Sequence, residues 1–180
     1  MRWSGSTHVQ RTQTNEKEDS EKSMKLVHFS PKPIIKLRSY KQKVEADWKP
    51  VGLWVSDESA EVGWHEWCVR EEFRLDHLKY PYSIELKKDA KILYVSNLRE
   101  FDAFNKKYNK SLIPHLSNSY LRGIDWFELS GEYQGIVITP YLWERRNHEQ
   151  SYWYHGWDCA SGCIWNSKAI KKITLIEKES

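Results

Sequence analysis

The chain has 180 residues, of which 39% are hydrophobic, 29% are charged and 14% are aromatic, and its formal net charge is +3 at pH 7. This length allows one domain with its own core, and the aromatic content argues against disorder over most of the chain. The small positive charge does not by itself indicate a nucleic-acid-binding protein. No apolar run reaches the roughly 18 residues of a membrane span, which excludes a transmembrane class.

Residues 1–23 differ from the rest because they are polar and lack hydrophobic periodicity. They are predicted to be a disordered tail or a vector-derived leader, and residues 24–180 to form a single domain. The chain has an odd number of cysteines, namely Cys68, Cys159 and Cys163, and shows no secretory signal pattern. Free thiols and an intracellular location are therefore predicted, in the cytoplasm with the nucleus left open.

The first half of the domain contains four predicted strands and two predicted helices. Apolar or alternating segments predict strands at 25–30, 51–56, 82–86 and 92–95, and we expect the last two to be neighbours in a sheet. Helical spacing of apolar residues predicts helices at 60–72 and 97–108. Asp57 or Ser59 is a candidate N-cap for the first helix, and Asn97 for the second.

The second half begins with a short helix or turn at 124–133 and a strand at 135–139. An aromatic and charged loop at 141–157 follows, then a strand at 162–166, a helical turn at 167–170 and a last strand at 171–176. This order of elements predicts an α+β fold without regular βαβ alternation. The sequence has no Gly-x-Gly-x-x-Gly motif and no Walker motif, which excludes the usual Rossmann and P-loop phosphate sites.

Three short motifs in a fixed order resemble the ADP-ribosyltransferase family. His28 lies near the end of the first strand, Gly52-Leu53-Trp54-Val55-Ser56 lies on the second, and a strand entered through Ser161-Gly162 lies near the end of the chain. The resemblance covers residues 25–176. It implies a split antiparallel β-sheet core with flanking short helices. It also implies NAD as the substrate and mono-ADP-ribosyl transfer to a macromolecular acceptor as the activity.

The resemblance also assigns roles to individual residues. Trp54 would stack on nicotinamide in place of the family's usual tyrosine, which cation–π attraction permits. The position of the family's catalytic glutamate reads Ser161-Gly162 here, so the catalytic residues would be His28 and the nearest acid, Asp158, with Glu132, Glu144 and Glu149 left open. The implied cofactor-binding set is His28, Phe29, Ser30, Gly52, Leu53, Trp54 and Ser56.

The loop at 141–157 occupies the position at which such transferases often recognise the acceptor. Aromatic rings interleaved with arginines favour an unpaired DNA or RNA base slightly over a protein side chain. The implied acceptor-binding residues are Arg145, Arg146, Trp153 and Tyr154. A toxin role with an inhibitor or antitoxin partner stays open. The alternative function is a non-enzymatic module that binds single-stranded nucleic acid through this loop.

Two other interpretations concern the cysteines. His65 and Cys68, with His155, Cys159 and Cys163, could supply zinc ligands, but their spacing differs from the paired Cys-x-x-Cys motifs of structural zinc sites. Cys163 could also act as a nucleophile if a histidine lay beside it. We expect neither a metal site nor a cysteine enzyme.

Overall fold

The structure is a computed structural model that describes residues 24–113, 116 and 121–177. The predicted tail at 1–23 lies outside the described residues. Nine strands and three α-helices are found in the described part of the chain. The strands are β1 Leu26–Ser30, β2 Leu53–Asp57, β3 Tyr80–Leu86, β4 Ile92–Val95, β5 Asn109–Ser111, β6 Arg122–Ile124, β7 Gly135–Ile138, β8 Ser161–Ile164 and β9 Ile170–Leu175.

The α-helices are short, and 3-10 segments supply most of the remaining helical structure. The α-helices are α1 Trp64–Arg70, α2 Leu98–Tyr108 and α3 Trp126–Glu132. The 3-10 segments are Leu75–Lys79, Trp143–Arg145, Glu149–Trp157 and Ser167–Ala169. The predicted loop at 141–157 therefore contains two 3-10 segments, while the predicted turn near residue 167 is confirmed.

Seven of the strands form one sheet in the order β4-β7-β8-β2-β1-β3-β9, and β5 pairs with β6 in a separate ribbon. All neighbours in the large sheet are antiparallel except β4 and β7, which are parallel. An isolated bridge between Asp47 and Ile124 attaches the segment before β2 to the ribbon. The α+β class is confirmed, and the sheet is mixed because of its one parallel pair.

Two local predictions were wrong. β3 and β4 are not neighbours, because β3 is flanked by β1 and β9 while β4 lies at the opposite edge beside β7. Helix α1 is capped by Gly63 and not by Asp57 or Ser59. Asp57 ends β2, and its carboxylate instead accepts hydrogen bonds from the Lys25 amide and the Thr139 hydroxyl. Asn97 is confirmed as the N-cap of α2 because its side chain accepts from the Glu100 amide at 3.0 Å.

Two apolar clusters cover the two faces of the sheet. Side chains that alternate along a strand point to opposite faces, so Ile136 and Ile138 of β7 enter one cluster while Val137 enters the other. The larger cluster contains the fully buried indoles of Trp126 and Trp153. Its size follows from the aromatic composition, since each such ring buries a large area.

The sheet opens between β1 and β2. Strand β1 pairs with β3 at four positions, and β2 pairs with β8 at four positions. By contrast, β1 and β2 pair only at Leu26–Asp57 and Val27–Ser56. Beyond Val27 the two strands diverge, and the ring of His28 bridges the gap, with Nδ1 at 2.6 Å from the carbonyl oxygen of Trp54. A side chain thus replaces the backbone pairing that the sheet loses there.

Candidate functional site

A cavity of about 390 Å³, called the central cavity below, lies where β1 and β2 diverge. Strand β1 supplies Phe29 to its wall and β2 supplies Ser56, on the face that these residues share through the antiparallel register. The first residue of β8, Ser161, and the last residue of the 3-10 segment Glu149–Trp157 also line the cavity. Its lining includes His28, Phe29, Lys49, Trp54, Ser56, Arg74, Trp157 and Ser161.

His28 is held as a neutral acceptor. Burial lowers the pKa of its imidazole below the usual value, so the uncharged form is favoured near neutral pH. A carbonyl oxygen only accepts, so the contact with Trp54 requires the proton on Nδ1. The other nitrogen, Nε2, is then unprotonated and can accept a hydrogen bond from a ligand hydroxyl.

The Trp54 indole forms an aromatic wall of the central cavity. Its ring packs edge-on against Trp157 with a centroid distance of 5.0 Å and an interplanar angle of 68°. The ammonium group of Lys49 lies 5.5 Å from the Trp54 ring centroid. The indole therefore already binds one cation, and the lysine is exposed and able to move aside for another.

Ser56 connects the cavity wall to a carboxylate that sequence reasoning missed. Its buried hydroxyl donates to Glu58 Oε1, which also accepts from the Trp64 amide at 3.0 Å. A side chain at Gly63 would place its Cβ 2.8 Å from the Glu58 carboxylate, so glycine there makes room for the acid. The sequence contained a signal for this carboxylate: Glu58 lies two residues after Ser56, and Gly63 lies directly before helix α1.

The rim of the central cavity is positively charged. Lys49 and Arg74 line it, and among the described ion pairs neither is matched with a carboxylate. Both residues are exposed. Such a rim attracts anionic ligands, and two long basic side chains can reach a diphosphate from opposite sides.

A groove of about 560 Å³ shares His28 with the central cavity and is called the second groove. Gly52 and Leu53 line this groove, together with the basic residues Lys36 and Arg38. The predicted cofactor residues are thus divided between the central cavity and the second groove, and His28 lines both. A ligand longer than one ring system could occupy both.

Two of the predicted cofactor contacts have other roles in the structure. Ser30 lines neither space, and its hydroxyl donates to the Lys32 carbonyl at 2.6 Å. A Cβ at Gly52 would lie 2.8 Å from the Ile164 carbonyl oxygen, so this glycine accommodates β8. The resemblance implies that Gly52 lets a cofactor approach the backbone. In the structure the glycine is instead explained by the close packing of the chain before β2 against β8.

The structure does not place the predicted acid in the cavity wall. Asp158 has a positive φ of 64°, and its carboxylate lies 3.7 Å from the guanidinium of Arg146. Ser161 lines the cavity instead, with its hydroxyl donating to the Cys159 carbonyl. No carboxylate belongs to the described lining, and none of the open alternatives does so either, namely Glu132, Glu144 and Glu149.

The predicted acceptor residues separate into buried and ion-paired groups. Trp153 and Tyr154 are completely buried in the larger core cluster, so the expectation that they stack on an acceptor is corrected. Trp153 Nε1 donates to Asn105 at 2.7 Å, which satisfies its polar atom inside the core. Arg145 forms two hydrogen bonds of 2.7 Å with Asp102, while Arg146 packs over the Trp143 ring.

The cysteines are poorly suited to nucleophilic or metal chemistry. Burial raises the pKa of Cys68 to about 11 and that of Cys159 to about 12, and it raises the pKa of Cys163 further. These thiols stay protonated near neutral pH, so Cys163 has little nucleophilic thiolate. Among residues 24–113, 116 and 121–177, no group of three or more His, Cys, Asp or Glu side chains could hold a metal ion.

No protein family, curated protein or solved structure shows significant similarity to this chain. In the described part of the chain, no helix combines the length and apolar character needed to cross a membrane.

Proposed function

We propose that the chain is an NAD-dependent mono-ADP-ribosyltransferase that binds NAD across the opening between β1 and β2. One observation carries this proposal. His28 bridges the two diverging strands, and it shares the central cavity with Trp54 and Ser56. A half-buried neutral acceptor, an aromatic wall and a fixed hydroxyl, together with basic rim residues, match the chemistry of a dinucleotide with a cationic ring.

The binding roles follow from the contacts. His28 Nε2 accepts a ribose hydroxyl, and the Trp54 ring stacks on the cationic pyridinium after Lys49 moves away from it. Lys49 and Arg74 then bind the diphosphate, whose negative charges they face from the rim. The central cavity and the second groove meet at His28, so the two halves of a dinucleotide can lie on either side of this residue.

The reaction breaks the glycosidic bond between nicotinamide and ribose C1′, and the bonding electrons leave with nicotinamide. The acceptor attacks C1′, forms the new bond and loses its proton to solvent. The positive charge that develops on the ribose is stabilised by negative charge nearby. Glu58 supplies this charge from behind Ser56, and its hydrogen bond fixes the Ser56 hydroxyl so that the lone pairs remain for the carboxamide of nicotinamide.

The acceptor is a macromolecule, with a nucleic-acid base favoured over a protein side chain. We also propose an intracellular setting, because the three cysteines are unpaired thiols and NAD is supplied inside cells. An inhibitor or antitoxin partner would be expected if the activity is toxic to the host cell.

The experiment is incubation of the pure protein with NAD labelled in the adenosine half, followed by assay of free nicotinamide and of label on DNA, RNA and lysate protein. His28→Ala is expected to weaken NAD binding by about tenfold or more, because it removes a buried hydrogen-bond acceptor. Ser30→Ala is the matched control on the same strand, and it should bind NAD within about twofold of the parent, since its hydroxyl bonds only locally. Absence of NAD binding by the parent, or equal binding by the two variants, would contradict the proposal.

A further inference from the structure

Three exposed rings form a contiguous surface, called the aromatic ladder below, that consists of Trp48, Tyr152 and His155. The Tyr152 and His155 rings are nearly parallel, at 9°, with centroids 5.6 Å apart. Trp48 meets Tyr152 edge-on at 6.0 Å. Trp48 is 42% exposed and Tyr152 is 51% exposed, in contrast to the fully buried Trp153 beside them. Because these exposed rings are in contact with one another and not scattered, they form a candidate binding surface.

The aromatic ladder leads into the central cavity. Lys49 directly follows Trp48, and Trp157 follows His155 by two residues, and both Lys49 and Trp157 line the cavity. The Lys49 side chain also lies against the end of the 3-10 segment Glu149–Trp157, since a Cβ added at Gly156 would be 3.1 Å from Lys49 Cε. The ladder and the cavity mouth are therefore continuous, with one lysine between them.

Beside the middle ring of the aromatic ladder, Tyr152, lies a groove of about 710 Å³, called the basic groove, whose wall includes Gln150 and Ser151 immediately before Tyr152 in the chain. It also contains four basic side chains and a single acid, namely Lys106, Arg122, Arg145, His148 and Asp102. The acid pairs with Arg145, so the Lys106 ammonium keeps its positive charge in the groove. Strand β6, which carries Arg122, is joined to the segment before Trp48 through the Asp47–Ile124 bridge.

We propose that the aromatic ladder binds single-stranded nucleic acid and delivers one of its bases to the central cavity as the ADP-ribose acceptor. Successive unpaired bases stack on aromatic rings regardless of sequence, while basic groups alongside hold the phosphates. The basic groove, the ladder and Lys49 provide these two kinds of contact in one path. The delivery step rests on the proposed function, whereas strand binding by the ladder does not.

The occupant is a single strand and not a duplex or a protein for two reasons. Paired bases are stacked inside a helix, so their faces cannot reach the exposed rings of Trp48 and Tyr152. The charged side chains beside these rings, Lys49 and those of the basic groove, are mainly basic, which favours a partner with a regular series of negative charges, as the phosphates of a nucleic acid provide.

The test is fluorescence anisotropy of the full chain with labelled twelve-nucleotide single strands of mixed sequence, as DNA and as RNA, and with the corresponding duplex. Trp48→Ala and Tyr152→Ala are each expected to weaken single-strand binding about tenfold, because each removes a stacking platform. Trp143→Ala is the matched control, since this ring is 46% exposed but packs on Tyr141 and makes none of the described ring contacts with the ladder. It should change the affinity by less than about twofold.

Nicotinamide release from NAD without acceptor is measured on the same variants, and it should stay at the parent level. Loss of strand binding in the two ladder variants with unchanged nicotinamide release supports both proposals. A second outcome is that the ladder variants lose strand binding while the parent protein does not cleave NAD. This outcome supports strand binding by the aromatic ladder and contradicts the proposed function. The inference is overturned if no single strand binds, if the duplex binds as tightly, or if the ladder variants bind like the parent.

Discussion

The two junctions that β2 makes in the sheet differ in how they are held. On one side β2 pairs with β8 at four positions, and β8 is fixed in turn by four pairs with β7. On the other side β2 pairs with β1 only twice, and a histidine side chain completes the junction. Three of the four residue pairs at the closed junction are apolar, and its one polar pair, Ser56 and Ser161, lies at the central cavity. The open junction is completed by the polar side chain of His28.

The difference shows how one strand can serve both the core and a ligand. The side chains of β2 are anchored by β8, so Trp54 and Ser56 keep their positions while the opposite edge of the strand is free to face a ligand. A site needs a fixed supporting shell and an open side. Here the support comes from β7 and β8, and the opening comes from the early divergence of β1.

The largest expected effect comes from breaking the contact between β8 and β7 that supports the closed junction. A Cβ at Gly162 would clash with the Ile136 carbonyl and lie 2.8 Å from Val137 Cγ2 and 2.9 Å from Val137 Cα. Backbone atoms at the centre of a sheet cannot move away cheaply, so Gly162→Ala should lower the free energy of unfolding by about 3 kcal/mol or more. Urea denaturation followed by tryptophan fluorescence measures this change.

Gly131→Ala is the control for that substitution. No heavy atom lies within 4 Å of a Cβ at this position, which is in α3. The added methyl group should therefore stabilise the protein by roughly 0.5–1 kcal/mol through helix propensity. If Gly162→Ala were as stable as the parent, the closed junction would not be the rigid support described above.

Much of the fold could be predicted from the sequence because the local signals were strong. The apolar runs of β1, β4 and β7 and the helical periodicity of α2 all correspond to elements in the structure. The sheet order could not be predicted, because pairing depends on contacts between distant segments. The separation of β3 from β4 is the clearest case. The short charged link between them, residues 87–91, does not show that β3 pairs with β9 and not with β4.

The candidate site was predicted in part. Trp54 and Ser56 share one face of β2 because side chains alternate along a strand, whereas His28 reaches the same cavity because its ring bridges the opening between β1 and β2. The proposed acid, Glu58, and the proposed strand-binding surface could not be predicted from spacing along the chain. Glu58 lies behind Ser56 because Gly63 leaves room for its carboxylate, and Trp48 meets Tyr152 although the two residues are far apart in the sequence.

A smaller effect should come from the charge behind the open junction. Glu58→Gln keeps an oxygen that can accept from Ser56 but removes the negative charge. We expect the rate of nicotinamide release to fall roughly tenfold to a hundredfold, because a developing positive charge loses its stabilising partner. NAD affinity should stay within about threefold, since the charge acts on the transition state more than on the bound substrate. Single-turnover kinetics with labelled NAD, together with a binding titration, separate these two quantities.

Asp158→Asn is the matched comparison, since it removes a carboxylate that does not line the central cavity and is paired with Arg146. Its rate of nicotinamide release should remain within about threefold of the parent. If the rate of nicotinamide release fell strongly in Asp158→Asn and little in Glu58→Gln, the catalytic acid would be Asp158, as the sequence predicts, and not Glu58. Urea midpoints of both variants show whether any loss of rate merely reflects loss of fold.

The smallest expected effect concerns the pH dependence of the open junction itself. Burial lowers the pKa of His28 in the folded protein below its usual value of 6.5, so below about pH 6.5 the unfolded chain binds more protons at this residue. The neutral histidine therefore contributes its full stability above that pH, and the contribution is lost as the pH falls toward and through the folded pKa. Ordinary carboxylates titrate mainly below about pH 4.5 and add little to this window.

The measurement is the urea midpoint at pH 7.5 and pH 5.5 for the parent and for His28→Gln. The parent should lose more stability than the variant on going to the lower pH, because only the parent has a buried imidazole that must take up a proton. Equal losses would mean that His28 titrates normally and is not held neutral in the opening between β1 and β2. The assignment of Nε2 as an acceptor for a ribose hydroxyl would then lose its basis, since a protonated ring can only donate.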